Sequence, residues 1–370
     1  MRFFVVDTDY DAFLRWLYAE HPGLENASYL EQLRVLDESL FSTAFFLRLN
    51  LEALGHVAAE AHMNNVPLQL AWARERMPRG LRGVAELALR RRPPLSRIFL
   101  AQIAAARPDV VLNQNLRSFS AEALRRAAPG ALLVGQHGGT AFDDVEPFRA
   151  YDLVLSQVRP VVELFRAHGI PAEELRLGFE PRILEALDPS PTDADIADIV
   201  FAGSLFPGVH DRRIRLLERV CERFPQTRVW SASVDHLPLG SAIRRCYRGQ
   251  AWGKRLYELF RSARIVLNRH GDAFAFADNS RLYEVTGVGG FLLTEAHPNL
   301  RELFEPGHEV GTYRDDSDCL EAIEHYLGDD AERRTVAAAG QARTLAEHTY
   351  RQRMADLVAI VQPRLTRPAT

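Results

Sequence analysis

Six polar and charged side chains gather in a short gap between two apolar segments in the second half of the chain. They are Asn268, Arg269, His270, Asn279, Arg281 and Glu284. If Asn279 or Ser280 caps a short helix, Arg281 and Glu284 share one of its faces. A carboxylate there can accept two hydrogen bonds from a ribose diol, and a neighbouring guanidinium can hold diphosphate oxygens bidentately. A surface ion pair without a ligand is the alternative.

A second group of candidate residues follows the apolar segment "DIVFA" at 198–202. Gly203 and Ser204 come next, and "LFPGVHDRR" then leads into a helix. Small residues at a strand end let backbone N–H groups approach a phosphate, and the helix start adds a favourable partial charge. Arg212 could supply further positive charge. The spacing matches neither GxGxxG nor a P-loop, so a plain strand-to-helix turn is an equal alternative.

Polar residues also lie at the ends of apolar segments in the first half. Asp7 follows the first segment, Asn113 and Asn115 lie at the end of another, and His137 stands within "GQHGGT" at 135–140. An imidazole between glycines at a strand end is expected to be accessible and titrates near neutral pH, so His137 is a candidate general base. A structural histidine bonded to nearby backbone is the alternative.

The elements that must position these residues alternate along the chain. Apolar runs of strand length lie at 2–6, 56–61, 109–114, 131–136, 152–157, 198–204, 228–233, 264–270, 290–295 and 309–313. Helical patterns lie at 39–54, 121–127, 211–223, 253–261, 317–327, 331–347 and 350–361. Strict alternation of strand and helix predicts an α/β protein with doubly wound parallel sheets. Such sheets bind ligands at the carboxyl ends of their strands, where the candidate residues lie.

The length of 370 residues predicts two domains. Prolines at 181, 189 and 191 interrupt regular structure and indicate a linker at 176–195. We therefore expect an N-terminal Rossmann-like domain at 1–175 and a C-terminal one at 196–348. The last segment, 349–370, is expected to hold a helix and a tail, with packing against the first domain as one option. A ligand site is expected in the cleft between the two sheets.

Composition narrows the class of protein. A net charge of −4 and a pI near 6.3 argue against a nucleic-acid partner or a broad contact with anionic membranes, although cations could be concentrated locally. Three cysteines without metal-ligand spacing favour a reduced compartment. The chain has no apolar run of about 18 residues, so we expect a cytoplasmic protein without an integral membrane segment. Neither a metal nor a cofactor is expected.

Two long stretches of the second half resemble a known family. "YRGQAWGKRLYELFRSARIVLNRHGD" and "NSRLYEVTGVGGFLLTEAHPNLRELFEPGHEVGTY" are similar to the C-terminal domain of CgeB-like glycosyltransferases. That family in turn resembles the large retaining group of GT-B enzymes with a group 1-like C-terminal domain. The resemblance covers 198–357 closely, and it extends more loosely to the first half through "PDVVLNQN", "YDLVLSQ" and "LGFEPRIL".

The resemblance implies a GT-B architecture, in which two Rossmann-like doubly wound domains face each other across a cleft. It also implies a hexosyltransferase-like enzyme that takes a sugar from a nucleotide diphosphate-sugar donor without a metal, with retention as the expected outcome. Glu284 would hold the nucleotide ribose. The complete set of expected donor-binding residues is Gly203, Ser204, Arg212, Asn268, Arg269, His270, Asn279, Arg281 and Glu284.

His137 and Arg281 are the expected catalytic residues. If the reaction inverts configuration, His137 would take the acceptor proton; if it retains, the leaving diphosphate would receive the proton and His137 would only position a substrate. The acceptor, a sugar, peptide or small molecule, is expected at Asp7, Asn113 and Asn115. A GT-B sugar-nucleotide epimerase or hydrolase and a two-lobed ligand-binding protein are the alternatives. The sequence does not indicate the base, the sugar, the acceptor or the oligomeric state.

Overall fold

Two compact units make up the chain. A computed structural model describes residues 1–41, 43–77, 95–116, 120–138, 142, 144–188 and 197–365. The first unit comprises Met1–Leu175 together with Met354–Thr370, and the second comprises Arg176–Arg353. The first unit is therefore built from two separate segments of the chain, with the second unit inserted between them.

The first unit contains a parallel sheet of six strands. They are β1 (Arg2–Asp7), β2 (Val57–His62), β3 (Val110–Asn113), β4 (Leu132–His137), β5 (Leu153–Ser156) and β6 (Ala172–Glu174). Their order in the sheet is β2-β1-β3-β4-β5-β6. All residues of β3 and β5 are buried, because helices cover both faces of a parallel sheet and its inner strands are mostly apolar.

Helices connect these strands. They are α1 (Asp11–Glu20), α2 (Tyr29–Glu38), α3 (Thr43–Ala53), α4 (Val66–Arg76), α5 (Leu95–Ala106), α6 (Ala121–Ala127) and α7 (Arg159–Ala167), with short 3-10 turns at Leu24–Asn26 and Glu146–Ala150. Several begin at a side-chain cap; the Asn65 amide oxygen, for example, accepts from the Leu68 N–H at the start of α4. The helix predicted at 39–54 begins only at Thr43, because α2 ends at Glu38 and Leu40 adopts a left-handed φ of 57°.

The second unit contains a parallel sheet of five strands. They are β7 (Ile199–Ala202), β8 (Arg228–Trp230), β9 (Ile265–Asn268), β10 (Leu292–Glu295) and β11 (Gly311–Tyr313), in the order β11-β10-β9-β7-β8. The helices are α8 (Arg182–Ala186), α9 (Asp211–Arg223), α10 (Ala242–Cys246), α11 (Gly253–Ser262), α12 (Ser280–Gly287), α13 (Asp316–Gly328), α14 (Asp330–Glu347) and α15 (Tyr350–Leu365), with a 3-10 turn at Pro298–Glu302. The last helix, α15, crosses the division between the units.

Both sheets share one topology. In each, the strand order reverses once, between β1 and β3 in the first unit and between β7 and β9 in the second. This is the doubly wound Rossmann-like arrangement that the alternation of strands and helices predicts. In such sheets the loops that leave the two strands at the reversal diverge, and the gap between them at the carboxyl edge is where ligands bind.

Part of the expected linker is ordered within the second unit. The Phe179 N–H donates to the His348 carbonyl at 2.8 Å, and the Tyr350 N–H donates to the Phe179 carbonyl at 2.9 Å. Helix α8 follows these contacts, and residues 189–195 lie outside the described residues. In the described part of the chain, no helix combines the length and the apolar character needed to cross a bilayer.

Candidate functional site

The reversal point of the second sheet is occupied by an arginine from α9. The Arg213 guanidinium donates to the Ser204 carbonyl at 3.0 Å and to the Arg269 carbonyl at 3.2 Å. Ser204 follows β7 and Arg269 follows β9, so this side chain bridges the two loops that diverge at the reversal. Arg213 lies on the stripe of α9 that also carries the buried Leu217 and Val220, which explains why it points inward.

A second guanidinium approaches the same strand end from α12. Arg281 donates to the Ala202 carbonyl at 3.0 Å and pairs with the Glu284 carboxylate one turn along the helix. Its guanidinium lies 4.6 Å from the centre of the Phe260 ring. The structure thus places Arg281 and Glu284 on one face of α12, as their spacing predicts, with 17% and 20% of the side chains exposed.

The electrostatics of this site favour an anion. Burial and then the charge of Arg281 lower the pKa of Arg213. Among the described residues no carboxylate forms an ion pair with Arg213, and Glu284 is the ion-pair partner of Arg281. Two guanidinium groups therefore converge on the end of β7 with one carboxylate in contact. An anionic ligand would relieve their mutual repulsion.

The N-terminus of α12 has no side-chain cap. Asn279 is the N-cap residue, but its side chain does not cap the helix. Its amide instead exchanges two hydrogen bonds with the Asn268 amide, at 3.0 and 3.2 Å. Asn268 is held in turn by Thr294 at 2.9 Å. The pair of amides fixes α12 to the end of β9, and it leaves the first N–H groups of the helix without a side-chain cap.

Arg269 and His270 are buried just after β9, and donor binding by these two residues stays a prediction. The Arg269 side chain is 4% exposed and pairs with Glu295 at 3.1 Å and Asp316 at 3.4 Å. His270 is 2% exposed, and its Nε2 lies 3.1 Å from the Thr294 hydroxyl. Burial, followed by the influence of His297, lowers the pKa of His270 to about 3, so the ring is neutral at physiological pH. Both residues support the strand ends.

The other two predicted phosphate contacts differ from each other. Arg212 is 52% exposed and makes loose ion pairs with Glu295 at 3.4 Å and Asp272 at 4.0 Å, whereas Arg213 reaches the backbone carbonyls of Ser204 and Arg269. Gly203 lies at the reversal point, and a Cβ atom added to it would come within 3.0 Å of the Phe201 ring. A side chain there would crowd the strand end.

In the first unit the expected acceptor residues meet at the reversal between β1 and β3. Asp7 accepts from the Thr8 N–H at 2.8 Å, and the Asn115 amide donates to the Thr8 hydroxyl at 2.8 Å. Asn113 is fully buried; it donates to the Tyr151 hydroxyl at 2.7 Å and accepts from the Asn115 N–H at 3.0 Å. These side chains form a network that holds the loops, and acceptor binding by them stays a prediction.

His137 is the last residue of β4, and the expectation that its imidazole is accessible is wrong. The residue is 7% exposed. Its ring packs edge-on against Phe142, Phe148 and Phe165, with centroid distances of 4.9, 5.5 and 6.1 Å. Gly139 and Thr140, which complete the glycine-rich motif, lie outside the described residues.

A buried charged cluster beside β1 and β2 was not predicted. His62 pairs with Asp9 at 2.9 Å, and Glu60 lies 3.3 Å from Arg48 and 3.7 Å from His62. Arg48 also pairs with Asp37 at 2.6 Å. Glu60 and His62 are two residues apart in β2 and share a face of the sheet, a polar interruption of an apolar strand that could have revealed the cluster.

Three titratable groups in or beside this cluster, His62, Asp37 and Asp7, have a raised pKa. Burial opposes the charged form of His62, but the carboxylates of Asp9 and Glu60 prevail and raise its pKa well above the ordinary value. Burial and then Glu60 raise the pKa of Asp37 to about 7. Burial and then Asp9 raise the pKa of Asp7 to about 6. The cluster therefore retains protons at a pH where exposed carboxyl groups have lost theirs.

Residues 212–359 match the glycosyl transferase-like family. Among proteins of curated function, none matches the sequence. Sucrose-phosphate synthase from Thermosynechococcus elongatus has a similar solved structure, with 14% identity over 98% of this chain and 99% of that chain and a TM-score of 0.57. The solved structure of Anabaena HepE in complex with UDP and glucose is also similar, with 13% identity over 98% of this chain and 100% of that chain and a TM-score of 0.59. A glycosyltransferase from Rickettsia africae ESF-5 has 10% identity over 99% of both chains and a TM-score of 0.61.

At sequence identities this low, the similarity to solved structures shows only the fold. The family match concerns only the second half of the sequence. The chain therefore has the GT-B fold, and its second half carries a glycosyl transferase-like domain.

Proposed function

We propose that this protein is a metal-independent, retaining glycosyltransferase that moves a hexose from a nucleoside diphosphate-sugar to an acceptor hydroxyl group. The observation that carries this proposal is the position of Arg213, a largely buried guanidinium at the reversal point of the second sheet that pairs with no described carboxylate. The family match supports it, as does the solved structure of Anabaena HepE, which is described as a complex with UDP-glucose.

The diphosphate would lie between Arg213, Arg281 and the N-terminus of α12. When the bond between the anomeric carbon and the β-phosphate oxygen breaks, the electron pair leaves with that oxygen and negative charge grows on the diphosphate. The two guanidinium groups and the uncapped helix end are already in place to stabilise this charge. Such preorganised electrostatic stabilisation needs little rearrangement during the reaction. The nucleotide ribose would bind the Glu284 carboxylate, which also pairs with Arg281.

The acceptor proton would pass to the leaving diphosphate. The burial of His137 among three phenyl rings supports this route over a histidine base, since a general base must reach the proton that it removes. We propose a sugar, peptide or small-molecule acceptor, bound at the carboxyl edge of the first sheet near Asp7 and Asn115. We also propose that the protein is a CgeB-like enzyme, which the sequence stretches in the second half support, and that it is cytoplasmic.

Calorimetric titration with a panel of nucleoside diphosphates, on the wild type and on Arg213→Lys and Arg213→Met, tests the site. We expect one base to be preferred, and we expect a ~10- to 100-fold loss of affinity in the Met variant because a charge-assisted hydrogen bond contributes about 1.5–3 kcal/mol. The Lys variant should be impaired as well, since an ammonium cannot reproduce the planar fork. Arg215→Lys, an exposed change on the same helix, is the matched control.

Unchanged diphosphate affinity in both Arg213 variants would contradict the proposed site. The reaction is tested separately by incubating the preferred sugar nucleotide with candidate acceptors and following both the free nucleoside diphosphate and the product anomer by NMR. Consumption of the donor at the same rate without any acceptor would contradict transfer and favour hydrolysis.

A further inference from the structure

Two neighbouring loops at the carboxyl edge of the second sheet expose apolar side chains. The β7–α9 loop (203–210) exposes Phe206 and Val209 by 50% and 62%, and the β8–α10 loop (231–241) exposes Leu239 by 89%. β7 and β8 are neighbouring parallel strands, so the two loops leave the same edge. A single exposed apolar side chain is ordinary, but three on adjoining loops indicate an interaction surface.

The two loops are fixed to each other by their inward-facing residues. Leu205 and Leu237 are both buried in the apolar core on this face of the sheet. The His236 ring contacts the Leu205 carbonyl and lies 5.9 Å from the Phe206 ring. Because the neighbours of Phe206 are anchored in the core, its ring is held outward by the fold.

Leu239 stands at the apex of a closed turn. The Ser241 N–H donates to the Pro238 carbonyl at 3.0 Å, and the Arg245 guanidinium donates to the Gly240 carbonyl at 3.0 Å. Backbone groups that are already paired can leave water at a lower cost than unpaired ones. The pairing of the Pro238 and Gly240 carbonyls therefore lowers the cost of taking this apex out of water.

Two exposed arginines accompany this apex. Arg245 contacts Gly240, and Arg248 donates to the carbonyls of Arg245 and Tyr247 at 3.2 and 3.0 Å. In the described part of the chain neither arginine pairs with a carboxylate. Their charge therefore remains available to an anionic partner, although the chain as a whole carries a net charge of −4.

We propose that this edge docks on the surface of an anionic lipid bilayer. Leu239, Phe206 and Val209 enter the boundary between headgroups and acyl chains, and Arg245 and Arg248 contact lipid phosphates. Exposed apolar side chains beside guanidinium groups that pair with no described carboxylate suit a layer of lipid phosphates above acyl chains. The inference does not depend on the proposed sugar transfer.

Co-sedimentation of the intact protein with vesicles tests the proposal. Wild type should bind vesicles of equal parts phosphatidylcholine and phosphatidylglycerol, bind phosphatidylcholine alone weakly, and dissociate as salt is raised. Leu239→Asp should weaken binding by ~10-fold or more, because it removes an inserted aliphatic group and adds a charge that the lipid phosphates repel. Arg245→Glu with Arg248→Glu should weaken binding to anionic vesicles by ~10- to 100-fold.

Matched controls lie in the first unit. Leu30→Asp changes a leucine that is 62% exposed, and Arg126→Glu changes an exposed arginine; both should bind vesicles like the wild type. Failure of the wild type to bind anionic vesicles, or equal binding by Leu239→Asp, overturns the proposal. Self-association through this surface also overturns the proposal. If sedimentation velocity shows a dimer that Leu239→Asp dissociates, the surface joins two copies of the chain.

Discussion

Asp7 links the fold of the first unit to pH in a way that can be measured. Its carboxyl group accepts from the Thr8 N–H at 2.8 Å and from the Ala44 N–H at 3.3 Å. Burial, followed by the charge of Asp9, nevertheless raises its pKa from 3.8 to about 6. This rise corresponds to about 3 kcal/mol between the protonated and ionised forms of the folded protein.

The sign follows from which state holds the proton. Below about pH 4 both the folded and the unfolded chain carry protonated Asp7, and the stabilising contribution is fully present. Between about pH 4 and 6 only the unfolded chain ionises, so the free energy of unfolding falls as the pH rises through the folded pKa. Asp7→Asn cannot ionise and keeps an acceptor for the Thr8 N–H. Relative to wild type it should gain up to about 3 kcal/mol between pH 4 and 7.

Differential scanning calorimetry across this pH range checks the prediction. A difference of about 3 kcal/mol corresponds to a relative rise in Tm of ~6 to 12 °C for a unit of this size. Asp109→Asn is the matched control, since Asp109 is exposed and also accepts a backbone N–H, that of Arg2 at 2.7 Å. If the Tm of Asp7→Asn and that of wild type differ by the same amount at every pH, the carboxyl group does not hold its proton and the reasoning is wrong.

Three further outcomes are expected. Glu284→Ala should weaken binding of a nucleoside diphosphate by ~1 to 3 kcal/mol in calorimetry without lowering Tm, and unchanged affinity would remove Glu284 from the site. Arg269→Met should instead destabilise the second unit by about 3–5 kcal/mol and so lower Tm, because it removes the nearest cation of the buried Glu295 carboxylate, at 3.1 Å, and leaves only the looser pair with Arg212 and the His297 ring; an unchanged Tm would contradict the supporting role. Gly340→Ala should destabilise the second unit despite the better helix propensity of alanine, since its Cβ would clash with the Glu309 carbonyl oxygen, and a raised Tm would refute this.

The strands and helices could be predicted from the sequence where local pattern decides them. Helices α6 and α9 have the predicted bounds, because apolar positions recur on one face of each. β6 (Ala172–Glu174) was not predicted, since its three residues "AEE" contain no apolar run. That strand forms because β5 offers it an edge to pair with, and such a partner is not visible in local sequence.

The candidate site could be predicted only in part, because side-chain direction depends on distant partners. Arg281 and Glu284 interact within one helix, so their spacing suffices. Arg269 is buried because Glu295 and Asp316, far along the chain, meet it in space. Which of Arg212 and Arg213 points inward depends on how α9 is rotated about its axis. Only Arg213 lies on the face of α9 that carries the buried Leu217 and Val220.

The division of the chain has a consequence for protein synthesis. Every residue of the second unit has been made once Arg353 is complete, whereas the first unit still lacks Met354–Thr370. In that last segment Met354, Leu357 and Val361 are buried, and Arg364 pairs with Glu173 at 2.9 Å. Completion of the first unit therefore depends on a segment that is synthesised after every residue of the second unit. A chain that stops at residue 353 would leave the first unit without its closing helix, and its exposed apolar surface would make it a substrate for chaperones.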